Sequence, residues 1–277
     1  MTDSVTAWSV RAFHDELRRE ADADPWLIVQ VTSGERFEAM HLPGAQWVDP
    51  RELMHGGPPA PGLLPELPRL QALVQRLGYE PGRRVIALDD EGGGWAGRFL
   101  WTLDCLGQRN WAFLDGGLIA WANAGLPLEQ GSPVAAAPSA WTGTLDPRPL
   151  ATRDEVLTAC TTGSAQIWDA RSLEEHLGQR SASARAGRIP GAKHLDWLEL
   201  MDPARDYQLP EDLAARINGA GIDLGAPVIA HCQTHHRSSL AYLTGRLLGA
   251  EGIRAYAGSW SEWGNDPTLP LETGPRT

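Results

Sequence analysis

Residues 227–250 read Pro227-Val228-Ile229-Ala230-His231-Cys232-Gln233-Thr234-His235-His236-Arg237-Ser238-Ser239-Leu240-Ala241-Tyr242-Leu243-Thr244-Gly245-Arg246-Leu247-Leu248-Gly249-Ala250. The apolar run Val228-Ile229-Ala230 predicts a buried strand. From Ser238 onward, Leu240, Leu243, Leu247 and Leu248 recur at helical spacing, and Gly249 ends the helix. Between strand and helix, Cys232 to Arg237 form a tight loop. A cysteine leaving a strand and facing a helix N-terminus sits among unpaired backbone N–H groups. Those groups favour thiolate over thiol, and the thiolate is the nucleophile. The loop therefore reads as an anion cradle with a sulfur at its centre.

The charge around the loop fits that reading. From Leu224 to Ala250 there is no Asp or Glu, while Arg237, Arg246 and three histidines are present, in a chain of net charge −11. An anionic substrate is drawn to this window and repelled by much of the rest. Arg237 is expected to point away from the anion and brace the loop with its planar fork, leaving Gln233, Thr234, His235, His236 and Arg237 to bind through backbone N–H groups. His235 and His236 have two readings: they contact the donor or tune the thiolate, or they line the pocket mouth. His231, Cys232, His235 and His236 also form a cluster that could suggest zinc. Zinc would require the loop to open, and Cys105 and Cys160 offer no second ligand pair, so neither metal nor cofactor is expected.

Three further pieces accompany the loop in order: Asp169-Ala170-Arg171, Gly187-Arg188-Ile189-Pro190-Gly191-Ala192, and Gly258-Ser259-Trp260-Ser261-Glu262-Trp263. With His231 to Ser238 they span most of residues 151 to 277, and together they resemble the rhodanese family of sulfurtransferases. The resemblance implies that Cys232 takes the outer sulfur of a donor, holds it as a persulfide, and passes it to a thiophilic acceptor such as cyanide. It gives Asp169 and Arg171 mainly a scaffold role.

Internal repetition sets the architecture. Val85-Ile86-Ala87-Leu88-Asp89 parallels Val228-Ile229-Ala230-His231-Cys232, and Phe113 to Trp121 parallels Ala255 to Trp263. Leu126-Pro127-Leu128-Glu129 parallels Leu269-Pro270-Leu271-Glu272, and Leu42-Pro43-Gly44-Ala45 parallels Ile189-Pro190-Gly191-Ala192. Each half alternates apolar runs with helical patterns, so the expected fold is α/β: two tandem rhodanese-like domains, each a mostly parallel sheet flanked by helices. The boundaries expected are 1–130, a Pro- and Ala-rich linker at 131–150, and 151–277. Where the second half has Cys232 the first has Asp89, followed by Asp90-Glu91-Gly92-Gly93-Gly94. This acidic, glycine-rich loop predicts a catalytically silent first domain, with floppy N–H groups not set around an anion. Cys105, among Trp101, Leu103 and Leu106, is expected to pack. Tandem relatives imply that the silent domain helps wall the cleft.

The remaining composition is ordinary for 277 residues in two domains. No run of eighteen apolar residues suggests a membrane span, and the start Met1-Thr2-Asp3-Ser4 is not that of a signal peptide. Three separated cysteines make no disulfide framework, so the cytoplasm is the expected compartment. Acidic balance argues against nucleic acid, and most of the twelve tryptophans are expected in packing. A monomer is expected, with a small anionic sulfur donor, a thiophilic acceptor and a protein acceptor as the partners to consider.

Thiosulfate is the expected donor and 3-mercaptopyruvate the alternative. Relatives selective for either carry basic or small residues after the cysteine, and Gln233, Thr234, His235 and His236 match neither. Many tandem relatives place a donor-binding arginine near position 175, where this chain has Glu174-Glu175. Two other classes compete. Cell-cycle dual-specificity phosphatases share this fold, but their loop is one residue longer than Cys232 to Arg237. A non-catalytic binding module is the other, and the intact Cys232 loop argues against it.

Overall fold

The computed structural model describes residues 4–19 and 26–275; the reading of the Met1-Thr2-Asp3 start lies outside them. The chain divides into two compact units. The first comprises Met1–Leu53, Pro65–Asp146 and Met201–Leu209; the second comprises Met54–Leu64, Pro147–Leu200 and Pro210–Thr277.

In the first unit the order is β1 (Ser4–Ser9), α1 (Val10–Arg19), β2 (Trp26–Val31), α2 (Gly34–Ala39), β3 (Gln46–Val48), α3 (Leu67–Arg76), β4 (Arg84–Leu88), α4 (Gly94–Cys105), β5 (Asn110–Asp115) and α5 (Gly117–Asn123). Its strands form one sheet in the order β1-β5-β4-β2-β3, every pair parallel. The sequence explains this pairing. β2 and β4 are near-continuous buried apolar runs, as strands covered by helices on both faces must be. Residues 131–150 contain no helix or strand, and Gln75 donates to Trp141 O at 2.7 Å along α3.

The second unit runs α6 (Arg153–Thr162), β6 (Gln166–Asp169), α7 (Leu173–His176), β7 (Lys193–His194), α8 (Leu213–Gly219), β8 (Val228–His231), α9 (Arg237–Leu247), β9 (Ile253–Ala255) and α10 (Ser259–Trp263). Its sheet has the order β7-β6-β8-β9, again parallel throughout. The central pairing aligns Asp169 with His231, which brings the Asp169-Ala170-Arg171 piece beside the strand that delivers Cys232. Reciprocal capping boxes start α6 (Thr152, Glu155) and α7 (Ser172, Glu175).

The expected α/β repeat is present in three dimensions. Trp121 Nε1 donates to Pro127 O at 2.8 Å in one unit, and Trp263 Nε1 donates to Pro270 O at 2.7 Å in the other. Trp26, Trp101, Trp111, Trp121, Trp141, Trp168, Trp260 and Trp263 are buried, as packing residues should be. Two details differ from the sequence reading. α9 begins at Arg237, not Ser238, and Leu248 lies beyond the helix end and is exposed. Among the described residues no helix is long and apolar enough to cross a membrane.

Candidate active site

Strand β8 runs four buried residues into Cys232, and helix α9 starts five residues later at Arg237. The intervening turn needs a left-handed residue, which is His235 (φ 55°). The loop is held from outside by the start of α10. Trp260 N donates to Cys232 O at 2.9 Å, and Ser261 N donates to Gln233 O at 2.9 Å. Segment Met54–Leu64 of the same unit packs on the loop's backbone: a Cβ added at Gly62 would lie 2.2 Å from Thr234 O.

The Cys232 side chain is buried. Burial alone would push its thiol up. The Arg237 guanidinium, the Ser238 hydroxyl and the N–H groups of Ser238 and Thr234 outweigh burial and hold the thiol below its ordinary value. Ser238 Oγ is in turn 2.8 Å from His235 Nδ1. His235 is thus fully buried and reaches Cys232 through a serine, rather than lining the mouth. His236 is half-buried, with its ring 5.4 Å from that of Trp197. Gln233 points toward Ser183, its Nε2 donating to Ser183 Oγ at 3.1 Å.

Arg237 is gripped by Glu175. Nη1 donates to Oε2 at 2.6 Å and Nη2 to Oε1 at 3.0 Å, a fork-to-fork pair. Burial would raise the Glu175 carboxyl, but the Arg237 bond more than offsets it and the group lies below its ordinary value. Two expectations change with this pair. The window from Leu224 to Ala250 contains no acid, yet folding imports one, so its net charge is less positive than the sequence suggests. The glutamate found where many tandem relatives carry an arginine is the partner that holds the loop arginine. With both Nη groups engaged by Glu175, the guanidinium acts on the anion through its charge, and hydrogen bonding to the anion falls to the backbone N–H groups and Ser238.

Beneath the loop lies a buried ionic core. Asp169 accepts from Arg171 Nε at 2.9 Å and Nη2 at 2.6 Å, and its Oδ2 lies 2.9 Å from His176 Nδ1. Burial favours the protonated acid, but Arg171, then His231 and His176, hold Asp169 well below the usual carboxylate range. Arg171 also stacks over Trp260 at 4.4 Å and donates to Gly187 O at 2.9 Å. The quoted sequence pieces thus meet at one packed cluster. Burial drives His231 down to about 4, so its imidazole is neutral at pH 7. Among the described residues no His, Cys, Asp and Glu group has the arrangement of a metal site.

The first unit repeats this loop with a different filling. Asp89 Oδ1 accepts from Glu91 N at 3.1 Å and Gly93 N at 2.9 Å, and Oδ2 accepts from Trp95 N and Ala96 N, each at 2.9 Å. In both loops the N–H groups two and six residues on point at the leading side chain. Leu118 N donates to Asp89 O at 2.9 Å, as Trp260 N does to Cys232 O. The expectation of floppy, unset N–H groups is therefore wrong: Gly92 (φ 96°) and Gly93 (φ 109°) adopt conformations that aim those groups inward. Asp90 is also not a bare acidic mouth, since Arg36 Nη1 donates to it at 2.7 Å. Burial, with help from Glu91, raises Asp89 to about 6 against the pull of its N–H donors. Cys105 is buried in α4, which pushes its thiol well up.

Among these residues, Glu175 and Ser238 escaped the sequence reading as site residues, as did Ser259, whose Oγ accepts from Cys232 N at 3.3 Å. A signal existed for Glu175, because Ser172-x-x-Glu175 is a capping box that fixes the glutamate at a helix start. Nothing local says that it faces Arg237, 62 residues away.

Comparison with known proteins bears on this geometry. The chain is 42% identical over 258 residues to the thiosulfate sulfurtransferase of Azotobacter vinelandii, covering 93% of this chain and 94% of that one. It is 28% identical over 235 residues to the 3-mercaptopyruvate sulfurtransferase of Escherichia coli K12, covering 84% and 83% respectively. The solved structure of YnjE superposes with a TM-score of 0.87 at 22% identity, covering 98% of this chain and 68% of that one. The rhodanese-like domain model matches residues 13–124 and again 152–266, so the chain belongs to the rhodanese-like domain family.

Proposed function

We infer that the chain is a sulfurtransferase that carries the outer sulfur of thiosulfate on Cys232 and delivers it to a thiophilic acceptor such as cyanide. The observation that carries this reading is the buried Cys232 sulfur at the strand-to-helix turn, its thiol held below its ordinary value by Arg237, the Ser238 hydroxyl and the N–H groups of Ser238 and Thr234. The thiolate attacks the outer sulfur of thiosulfate. A Cys–S bond forms, the donor S–S bond breaks, and sulfite leaves with the electron pair. The charge now rests on the terminal persulfide sulfur, which remains inside the same ring of N–H donors. Cyanide then attacks that sulfur, thiocyanate departs and the thiolate is restored. No outside oxidant or reductant is needed, and no cofactor.

The 42% identity to a thiosulfate sulfurtransferase, against 28% to a 3-mercaptopyruvate enzyme, favours thiosulfate as donor. The five-residue step from Cys232 to Arg237 gives a ring smaller than a tetrahedral phosphate requires, which counts against a phosphatase. We assign the chemistry to the second unit and silence to the first, whose N–H ring is filled by the Asp89 carboxylate. Three unbridged cysteines suit a reducing compartment.

The test is intact mass after thiosulfate treatment. The wild-type protein should gain one sulfur atom, lose it to cyanide, and gain none as Cys232→Ala. Cys105→Ala and Cys160→Ala should load normally. A Cys232→Ala protein that still turns over would sink the assignment. A parallel kcat/KM comparison of thiosulfate with 3-mercaptopyruvate decides the donor.

A further inference from the structure

Four described non-glycine residues have positive φ: Asp206, Tyr207, His235 and Ser259. Two of them belong to the Cys232 site. His235 makes the loop's own turn, whereas Ser259 lies 27 residues after Cys232, at the start of α10. Its φ is 52°, and it is fully buried. An L side chain in this region is strained, and a buried residue kept there must return something for the strain.

The internal repeat shows what the alternative would be. The matching position in the first unit is Gly117, with φ 53°. Glycine holds that conformation without strain. The second unit has the same backbone and adds a hydroxymethyl group. Ser259 Oγ donates to Tyr256 O at 2.8 Å and accepts from Cys232 N at 3.3 Å. The next two N–H groups, those of Trp260 and Ser261, donate to Cys232 O and Gln233 O. Three consecutive residues therefore hold the loop's first two residues, two of the bonds at the N–H and C=O of Cys232 and the third at Gln233 O, and Ser259 supplies the one that takes the cysteine's own N–H.

We propose that Ser259 is a positioning residue for the Cys232 sulfur, accepting the strain of a left-handed backbone to fix the nucleophile's peptide plane. Taking up that N–H turns the Cys232 peptide so that Sγ projects into the ring formed by the N–H groups of Thr234 and Ser238. Without Oγ the Cys232 N–H is a buried donor with no acceptor, and the peptide rotates to find one. The sulfur then leaves the centre of its ring. The inference rests on Cys232 being the sulfur carrier.

Three variants separate positioning from stability. Ser259→Gly relieves the backbone strain but lacks Oγ. Ser259→Ala keeps the strain and lacks Oγ. Ser259→Thr keeps the hydroxyl but adds a β-branch to a left-handed residue. Stability should rank glycine above alanine, with threonine lowest. Function should rank otherwise. The glycine and alanine proteins should both lose about tenfold in kcat/KM, the size of one well-placed hydrogen bond. Their Cys232 alkylation by iodoacetamide should shift to higher pH. The threonine protein, assayed well below its melting temperature, should keep the wild-type alkylation profile. Activity and profile that simply follow melting temperature across the series would overturn the proposal, as would a glycine variant with wild-type kcat/KM. Thiosulfate loading of wild type, followed by mass, keeps the two claims apart. If wild type loads at Cys232 and the Ser259 variants match it in kcat/KM and alkylation profile, this inference alone fails; if wild type does not load there, the carrier assignment itself fails.

Discussion

Glu175→Gln asks whether Arg237 works by charge or by shape. The pair is mostly buried, with side chains 7% and 19% exposed. Breaking a fully buried pair costs about 3–5 kcal/mol, because one charge is left unpaired. The partial exposure of Arg237 lets water screen the orphan, so the lower range, about 2–3 kcal/mol, applies here. Glutamine is chosen because it still completes the Ser172 capping box, whose backbone N–H now donates to Glu175 Oε2 at 3.3 Å. The loss therefore reports the fork and not the helix start. At about 2–4 °C per kcal/mol, the transition of the second unit should fall by roughly 4–12 °C.

The catalytic outcome separates the two roles. In Glu175→Gln the guanidinium charge beside Cys232 is no longer neutralised. If charge were the point, the thiolate would be favoured further and sulfur transfer would hold or improve. If bracing is the point, the loop loosens and the sulfur drifts from its N–H ring, at a cost of about 10- to 100-fold in rate for a displacement near 1 Å. The expected result is that alkylation of Cys232 moves to higher pH, as the sulfur leaves its N–H ring, while thiocyanate production falls by that factor. Arg237→Lys should fall alongside it, since a point charge cannot span both carboxylate oxygens. Wild-type melting and wild-type or faster turnover in Glu175→Gln would refute the bracing argument.

Two further outcomes follow from the buried groups. His231 has a folded-state value of about 4 against 6.5 for the ordinary imidazole, so the unfolded chain binds the extra proton; stability is full above about pH 6.5 and is lost as pH falls toward 4, by roughly 3 kcal/mol. Denaturant melts of the second unit across that window should show the slope, and His231→Asn should flatten it; an unchanged slope would reassign it to another group. Asp89→Cys in a Cys232→Ala background should alkylate but not turn over thiosulfate, because Gly94 stands where Arg237 stands and Glu91 disfavours a thiolate; stoichiometric sulfur loading with turnover would show that the arginine–glutamate brace is dispensable.

The strand, loop and helix around Cys232 were legible because each is written locally: an apolar run, a polar hexapeptide, and leucines at helical spacing. The duplication was legible for the same reason, since Val85-Ile86-Ala87 and Val228-Ile229-Ala230 are identical runs, each leading within two residues to the loop's first side chain. What stayed hidden depends on tertiary approach. Glu175 looked like a vacancy in a donor site, because its partner is a loop 62 residues away that only sheet closure brings near. Ser259 read as part of a turn, because neither its φ nor its bond to Cys232 N is written in the neighbouring residues. The Asp89 loop misled for a physical reason. Three consecutive glycines imply entropy in an unfolded chain, but a buried carboxylate with four N–H donors removes that freedom on folding.

The two loops can therefore be compared as one device carrying different charges. Both have five residues from the leading side chain to the helix, both aim the second and sixth N–H at it, and both pin its carbonyl from the facing turn. An anion is required in such a ring, since several buried N–H groups without an acceptor would be costly. In the first unit that anion is permanent, because a carboxylate bonded to the chain cannot leave or exchange sulfur. On the proposed reading, in the second it is the Cys232 thiolate, whose negative charge persists when a sulfur atom is added and again when it is removed. The ring thus stays satisfied through every step of the transfer cycle, and the sulfur can move without the loop having to rearrange. Arg237, Glu175 and Ser259 are what the second loop has in addition, where the first has Gly94 and Gly117 at the matching arginine and serine positions. Each answers the same difference: a carboxylate centres itself with two oxygens, whereas a single sulfur must be centred by its surroundings.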